Sequence, residues 1–219
     1  MDLKEAIQRR RSIRKYLNKE IEASDIKKIE DLIEEINTKS QLHFRIVYDD
    51  TKSFARMVKY GWFENVKQYI AIYGKNDKDL DRKAGYYGEE LVLNLVMMGL
   101  GTCWVAGTYD KKMAKSLKEE DERLVAIILF GYGEEVQSNR KSKAIQQVTK
   151  LNEDTPPWFK EGVEAALLAP TALNQQRFKI DYNNGKCVIH PLIGHLTKLD
   201  AGIVQYHFEV GSGHKAEVK

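Results

Sequence analysis

The chain has 219 residues, of which 42% are hydrophobic and 31% are charged, and its 35 lysines and arginines against 32 acidic residues give a net charge of +3. These values are ordinary for a globular protein, and they exclude a chain dominated by disorder as well as a polybasic nucleic-acid or membrane binder. The N-terminus has no apolar signal-peptide core, and the longest apolar run, LVLNLVMMGLG, is too short to span a bilayer. We therefore expect a cytoplasmic protein.

Residues 9–16, RRRSIRKY, form a basic cluster at the end of the first predicted helix. Asp2 and Glu5 have the spacing of a capping box, which predicts that this helix begins after Asp2. The four arginines of the cluster are permanently charged, forked donors suited to phosphate, and Ser12 adds a neutral donor. A local anion site is one interpretation of the cluster, and a solvated basic face is the other.

Helical and strand patterns alternate along the next part of the chain. Ser24 and Asp25 open a second helix with an apolar stripe, and HFRIVYD, from His43, alternates as a half-buried strand does. Residues 51–65 have helical spacing, and VKQYIAIYG is typical of a buried strand closed by Gly74.

The longest helical pattern runs from about Arg82 to Leu100 and ends in GLGTCWVAG. Gly99 and Gly101 can stop this helix with positive φ angles. The small residues that follow allow a close approach to another segment or to a flat ligand, or else form a core strand. A surface helix near KKMAKSLKEE, a central strand LVAIILF and a GYG turn at 131–133 come next.

The remaining third of the chain predicts a helix, a hairpin and a last helix. Thr155 is expected to cap a helix that has Pro156 in its first turn and ends at Pro170. The loop APTALNQQ leads to a hairpin, FKIDY and KCVIH, turning at NNG. Thr197 with Asp200 opens the final helix, and HKAEVK is expected to be a frayed tail.

The cysteines and histidines suggest no metal site and no disulfide. Cys103 and Cys187 have no zinc-type spacing and lie among apolar residues, where small buried hydrophobes are expected. None of the five histidines has ligand-like spacing, so partnered surface or core positions are expected for all of them: His43, His190, His195, His207 and His214.

An internal repeat indicates that the chain contains two related halves. Shifted by 134 positions, the segment IEDLIEEINTKSQLHFRIVYDD lies without a gap on VEAALLAPTALNQQRFKIDYNN. Phe44, Ile46 and Tyr48 then fall on Phe178, Ile180 and Tyr182, although two common amphipathic patterns can also agree by chance. We assign residues 1–150 to the first half and 151–219 to a shorter second half, together forming one compact unit.

Several sequence motifs of this chain together resemble those of the FMN-dependent nitroreductase family. The similarity rests on RRSIRKY, GLGTCWVAG, FGYG, the basic KSK segment and APTALNQQ, which are spread over most of the chain. Because the P-S-x-x-N-like loop occurs only in the second half, the chain most resembles the single-chain pseudo-dimer branch of this family, the TM nitroreductases. This implies an α+β nitroreductase-like fold, with mixed or antiparallel central sheets flanked by helices and two halves forming an intramolecular pseudo-dimer.

The resemblance also implies where FMN would bind. Arg10, Ser12 and Arg14 would hold the phosphate and ribityl oxygens, and Lys141 and Lys143 would add positive charge. Other contacts with the ring and ribityl chain are implied for Pro170, Thr171, Ala172 and Asn174, and the backbone at Ala106 and Gly107 would approach the redox nitrogen of the flavin. Arg177-Phe178 replaces the usual Pro-Trp after the loop, and the second half has no TCWVAG equivalent, which argues against a second flavin.

The expected function is an NAD(P)H-dependent flavoprotein oxidoreductase that works by ping-pong hydride transfer to a nitroaromatic, quinone or flavin acceptor. FMN carries the chemistry, so no side chain is assigned as acid, base or nucleophile. The alternatives are a non-catalytic flavin-binding or flavin-sequestering protein, and a decayed fold that binds another phosphate ligand or none. A pseudo-dimer already contains the usual dimer interface, which favours a monomer over a homodimer.

Overall fold

The computed structural model describes residues 1–48, 60–106, 119, 121–134, 141–183 and 185–219. The helices are α1 (Leu3–Arg9), α2 (Ala23–Ser40), α3 (Leu80–Met97), α4 (Pro157–Ala166) and α5 (Thr197–Ser212). The strands are β1 (His43–Tyr48), β2 (Gln68–Lys75), β3 (Gly101–Val105), β4 (Glu122–Gly131), β5 (Phe178–Asn183), β6 (Lys186–Pro191) and β7 (Ala216–Val218). Helices combined with antiparallel sheets confirm the predicted α+β class.

The strands form two sheets. The first has the order β1-β2-β4-β3 with every neighbouring pair antiparallel, and the second has the order β5-β6-β7, in which β6 and β7 are parallel. Two compact units contain them. The four-stranded unit comprises residues 9–80 and 91–137, and the three-stranded unit comprises residues 1–8, 81–90 and 138–219.

One face of the four-stranded sheet carries a core that includes part of the basic cluster. Ile13 and Tyr16 are buried in it together with Tyr69, Cys103 and Leu129. In the three-stranded unit, Phe159 and Phe208 from α4 and α5 pack with ring centroids 5.8 Å apart. Each unit therefore has a core of its own, built mainly from apolar and aromatic side chains.

The order of elements recurs along the chain. Among the described residues, helix, strand, strand, helix and strand occur first as α2, β1, β2, α3 and β3, and again as α4, β5, β6, α5 and β7. This order agrees with the internal repeat. The pseudo-dimer relation and the division at residue 150 remain predictions.

Several local predictions are confirmed. The Asp2 carboxylate accepts the N–H of Glu5 at 2.8 Å while Glu5 accepts the N–H of Asp2 at 3.3 Å, which is the expected capping box. Gly99 has a φ of +82° just after α3. TCWV forms a core strand, which is one of the two predicted alternatives, because β3 pairs along its length with β4.

Other local predictions are wrong. Gly101 lies inside β3 rather than in a positive-φ cap, and residues 60–65 form turns and a bridge rather than a helix. The N-cap of α4 is Pro156, because the Thr155 hydroxyl bonds Asn152 instead. The tail is not frayed, since Ala216–Val218 pairs with β6.

Some predictions fall on residues outside the described ranges. These are the remaining part of the 51–65 helix, the helix near KKMAKSLKEE apart from Glu119, and the tip of the hairpin at Asn184. No helix in the described part of the chain is long and apolar enough to cross a membrane.

Candidate functional site

The basic cluster lies alongside β3. Ile13 donates its N–H to the carbonyl of Thr102 at 2.8 Å, and Ser12 forms a parallel bridge with the same residue. This pairing holds the backbone of Ser12 and Ile13 against β3. Arg10 is only 6% exposed, whereas Arg14 is exposed, so one guanidinium is anchored in protein and the other reaches solvent.

Two glycines make room for this segment. A Cβ on Gly101 would lie 2.8 Å from Ile13, and a Cβ on Gly133 would lie 2.6 Å from it, closer than packed atoms approach. Gly101 of GLGT and Gly133 of GYG therefore permit close contact with the basic cluster. The side chain of Ile13 therefore brings three sequence motifs together in the four-stranded unit: the basic cluster, GLGT and GYG.

Two positive charges act together at the start of β3. Burial raises the pKa of the Cys103 thiol, and the charges of Arg14 and Arg10 partly offset that rise. Arg11 differs, because its guanidinium donates to the carbonyls of Arg10 at 2.9 Å and Arg9 at 3.4 Å. Anion binding by Arg10 and Arg14 stays a prediction.

The second group of predicted residues surrounds residues 170–176, which we call the 170–176 turn. A short 3₁₀ helix, Ala172–Asn174, lies within it. Leu173, Asn174 and Gln176 have φ angles of +52°, +53° and +47°. Left-handed backbone costs a non-glycine residue about 1 kcal/mol or more, so the surrounding contacts must hold this turn in place.

Gln176 provides most of those contacts. Its buried side chain accepts the N–H of Lys143 at 2.7 Å and donates to the Leu167 carbonyl at 2.7 Å and to the Ser142 hydroxyl at 3.2 Å. The ammonium of Lys143 donates in turn to the Gln176 carbonyl at 2.7 Å, and the Thr171 hydroxyl accepts the Gln176 N–H at 3.0 Å. The KSK segment and the 170–176 turn thus form one hydrogen-bonded structure.

Two further side chains complete the turn. Asn174 donates through Nδ2 to the Lys141 carbonyl at 2.8 Å. The Asp200 carboxylate accepts the N–H of Ala172 at 3.0 and 3.1 Å, so it does not cap α5, whose N-cap is Leu196. Burial raises the pKa of Asp200 to about 7, and the Ala172 hydrogen bond opposes that rise only in part.

The predicted FMN residues are therefore found in two groups, each within one unit. The four-stranded unit holds Arg10, Ser12, Arg14 and the half-buried Ala106, which directly follows β3. Gly107 lies outside the described residues. The three-stranded unit holds the remaining six, which are Lys141, Lys143, Pro170, Thr171, Ala172 and Asn174.

Three residues that position these groups were not predicted as site residues. Ile13, Gln176 and Asp200 each act through contacts distant in sequence, at Gly133, Lys143 and Ala172. The spacing of Thr197 and Asp200 suggested a cap instead, so no local signal would have revealed the role of Asp200. A buried glutamine beside a polar loop is likewise visible only in the fold.

A family model described as "Putative TM nitroreductase" matches residues 2–212. The fold and this match define the class, and the chain belongs to this nitroreductase family. Nitroreductases are oxidoreductases, and family membership assigns the chain to that class of enzyme. No curated protein sequence matches the chain.

Solved structures agree with this assignment. A nitroreductase from Thermotoga maritima MSB8 is 28% identical, with a TM-score of 0.72 over 96% of this chain and 83% of its own. A nitroreductase from Desulfovibrio desulfuricans in complex with FMN is 20% identical, with a TM-score of 0.54 over 71% of this chain and 99% of its own. An FMN-dependent nitroreductase from Clostridium difficile R20291 is 22% identical, with a TM-score of 0.50 over 62% of this chain and 90% of its own. The last two similarities show the fold alone.

Proposed function

We propose that this protein is an FMN-dependent NAD(P)H oxidoreductase that acts by a ping-pong mechanism. When bound, FMN supplies the redox chemistry, taking hydride from NAD(P)H and passing it to a nitroaromatic, quinone or flavin acceptor. The side chains bind and orient, and none is assigned as acid, base or nucleophile.

The observation that carries the proposal is the placement of Arg10, Ser12 and Arg14 on a segment that pairs with β3 at Thr102. Two guanidiniums and the half-buried Ser12 fit the donor set that a flavin phosphate and its ribityl hydroxyls require. Because the Ile13–Thr102 hydrogen bond fixes the segment, these donors are organised before a ligand arrives. Ala106 follows the same strand, and its small side chain permits close approach of its backbone to a flat ring.

The 170–176 turn is proposed to bind FMN through Pro170, Thr171, Ala172 and Asn174. Lys141 is exposed and adds positive charge, while the Lys143 ammonium donates to the Gln176 carbonyl. Because Asn174 already donates to the Lys141 carbonyl, its side-chain oxygen is the atom proposed to accept from the ligand. Arg177, which directly follows the turn, is proposed to alter acceptor access.

Titration of the purified protein with FMN tests the binding half of this proposal. We expect Arg10→Glu to weaken FMN binding most and Asn174→Ala to weaken it less, because only the first substitution reverses a charge beside the phosphate. Arg9→Glu is the matched control, since Arg9 is an exposed arginine at the end of α1. Equal FMN affinity in all three variants and the wild type would contradict the site.

The competing functions give different results in the same preparation. A flavin-sequestering protein would bind FMN with the same dependence on Arg10 but would shield the ring from NADH and NADPH. A decayed fold would show no flavin absorbance even after FMN is added. The protein is further proposed to be cytoplasmic and monomeric, and sedimentation at micromolar concentration would detect a homodimer.

A further inference from the structure

Strand β1 lies at the edge of the four-stranded sheet, and part of its outer side is unpaired. The backbone of Phe44 faces outward, because its N–H donates to the Asn37 side chain at 2.7 Å and its carbonyl accepts from the same side chain at 3.1 Å. Every second residue of an antiparallel strand faces the same way, so the N–H of Ile46 also faces outward. Within the described part of the chain, no residue pairs with Ile46 on this side.

A groove of about 370 Å³ lies between this edge and α2. Its lining combines apolar side chains, Ile33 and Ile46, with two exposed carboxylates, Glu30 and Glu34. Tyr48 lines the groove as well and is 44% exposed. Burial and the negative charge of Glu30 raise the pKa of the Tyr48 phenol, so this carboxylate lies beside the strand. We call this cavity the α2–β1 groove.

The internal repeat identifies a corresponding edge in the three-stranded unit. With the shift of 134 positions, Ile46 falls on Ile180 of β5, which is also an edge strand. The N–H of Ile180 donates to the Val148 carbonyl at 2.9 Å, and the Val148 side chain is completely buried. A short segment thus covers this second edge with one backbone hydrogen bond and one β-branched side chain. The α2–β1 groove has no such cover among the described residues.

Charge indicates the chemistry of a ligand for this groove. In the second half, the carboxylate of Glu164 lies 3.8 Å from the ammonium of Lys160. The corresponding residues of the first half are Glu30 and Ile26, so the lysine has no counterpart there. Glu34 adds a second carboxylate, and neither of the two groove glutamates forms an ion pair with a described residue. A positively charged ligand complements the α2–β1 groove.

We propose that the α2–β1 groove binds a peptide segment of a partner protein, in which lysines flank a β-branched apolar residue. A backbone carbonyl of the segment accepts the Ile46 N–H, its apolar side chain packs on Ile33, and its lysines lie beside the two glutamates. In binding of this kind, backbone hydrogen bonds provide affinity and side-chain contacts provide specificity. The chain's own residues 143–150, KAIQQVTK, have this composition and serve as a probe. The groove shares no residue with the proposed flavin site.

Titration of the ¹⁵N-labelled full chain with the synthetic peptide KAIQQVTK, followed through amide NMR shifts, tests the proposal. We expect saturable shifts at Ile46 and Tyr48. Glu34→Lys should weaken binding at least roughly fivefold, because it reverses a charge in the groove. Glu35→Lys is the matched control, since it makes the same charge change at an exposed residue of α2 that does not line the groove. A peptide carrying the Val148→Asp substitution should lose binding, because the apolar contact is removed.

Several results would overturn the proposal. The first is the absence of saturable shifts at Ile46. Shifts at Ile180 instead would mean that the peptide replaces the chain's own segment on β5. Equal weakening by Glu34→Lys and Glu35→Lys would reduce the interaction to general charge attraction. Shifts at Ile46 that follow protein concentration without peptide would assign the edge to a second copy of the chain.

Discussion

Both carboxylate oxygens of Asp200 accept the backbone N–H of Ala172, at 3.0 and 3.1 Å. This contact joins the first turn of α5 to the 170–176 turn that is proposed to bind FMN. It is made by a buried carboxyl group whose pKa burial raises from 3.8 to about 7. Ionisation of Asp200 in the folded protein therefore lowers the free energy of unfolding.

Asp200→Asn is predicted to stabilise the protein above pH 7. A carboxyl with a higher pKa in the folded state binds its proton more tightly there, so its contribution to stability is lost as pH rises from about 4 through about 7. The cost is at most roughly 4 kcal/mol. Urea unfolding at pH 5 and pH 8 should show a gain for the variant that is larger at pH 8. An equal loss of stability at both pH values would contradict this explanation.

Gly133→Ala is predicted to destabilise the protein by about 1–3 kcal/mol, because the new Cβ would lie 2.6 Å from Ile13. It should also weaken FMN binding, since Ile13 lies between Ser12 and Arg14. A double-mutant cycle with Ile13→Ala provides the control. Removing the Ile13 side chain relieves the clash, so the combined loss should be smaller than the sum of the single losses. Additive losses would show that the two residues do not interact.

His207→Ala is predicted to cost about 3–5 kcal/mol of folding free energy. His207 and Glu89 are completely buried, their Nε2 and Oε1 atoms lie 2.8 Å apart, and Nδ1 of His207 lies 3.1 Å from the Ala165 carbonyl. The substitution leaves a buried carboxyl group without this partner. His190→Ala, in the exposed pair with Asp181, should cost less than about 1 kcal/mol. Chemical denaturation that gave the same loss for both histidines would refute the distinction.

Deletion of residues 215–219 is predicted to cost at least roughly 2 kcal/mol, at about 1 kcal/mol for each net hydrogen bond. The Ala216 carbonyl accepts from Gln205 at 2.8 Å, and Lys219 donates its N–H to the Ile189 carbonyl at 3.0 Å. The deletion also removes the Lys215 ammonium from the buried Glu209 carboxylate, 2.6 Å away. Thermal unfolding of the truncated chain measures the effect, and an unchanged melting temperature would indicate a frayed tail.

The sequence predicted elements whose signals are local. Alternation located β1 and the β5–β6 hairpin, and an unbroken apolar run located β4, because the period of burial follows directly from strand geometry. Strand β7 was missed because three residues are too few to show a period. This strand is stabilised by parallel pairing with β6, and a pairing between segments far apart in sequence leaves no local pattern.

The residues of the candidate site also differ in whether the local sequence reveals their role. Arg10 and Arg14 could be proposed from the sequence because clustered arginines suggest an anion site and because their motif resembles that of the family. Gln176 and Asp200 were missed because their roles depend on Lys143 and Ala172, which are remote in sequence. The role of Asp200 was also predicted wrongly, because a carboxylate with the spacing of a helix cap can instead accept a hydrogen bond from another segment.

Anaerobic stopped-flow absorbance of the FMN-loaded protein tests the proposed activity most directly. The flavin band is predicted to bleach when NADH or NADPH is mixed in and to return when a quinone or nitroaromatic is added afterwards, with Arg10→Glu losing the signal through loss of bound FMN. A wild-type protein that binds FMN but keeps its flavin band unchanged with both nucleotides would contradict the oxidoreductase proposal and favour flavin sequestration.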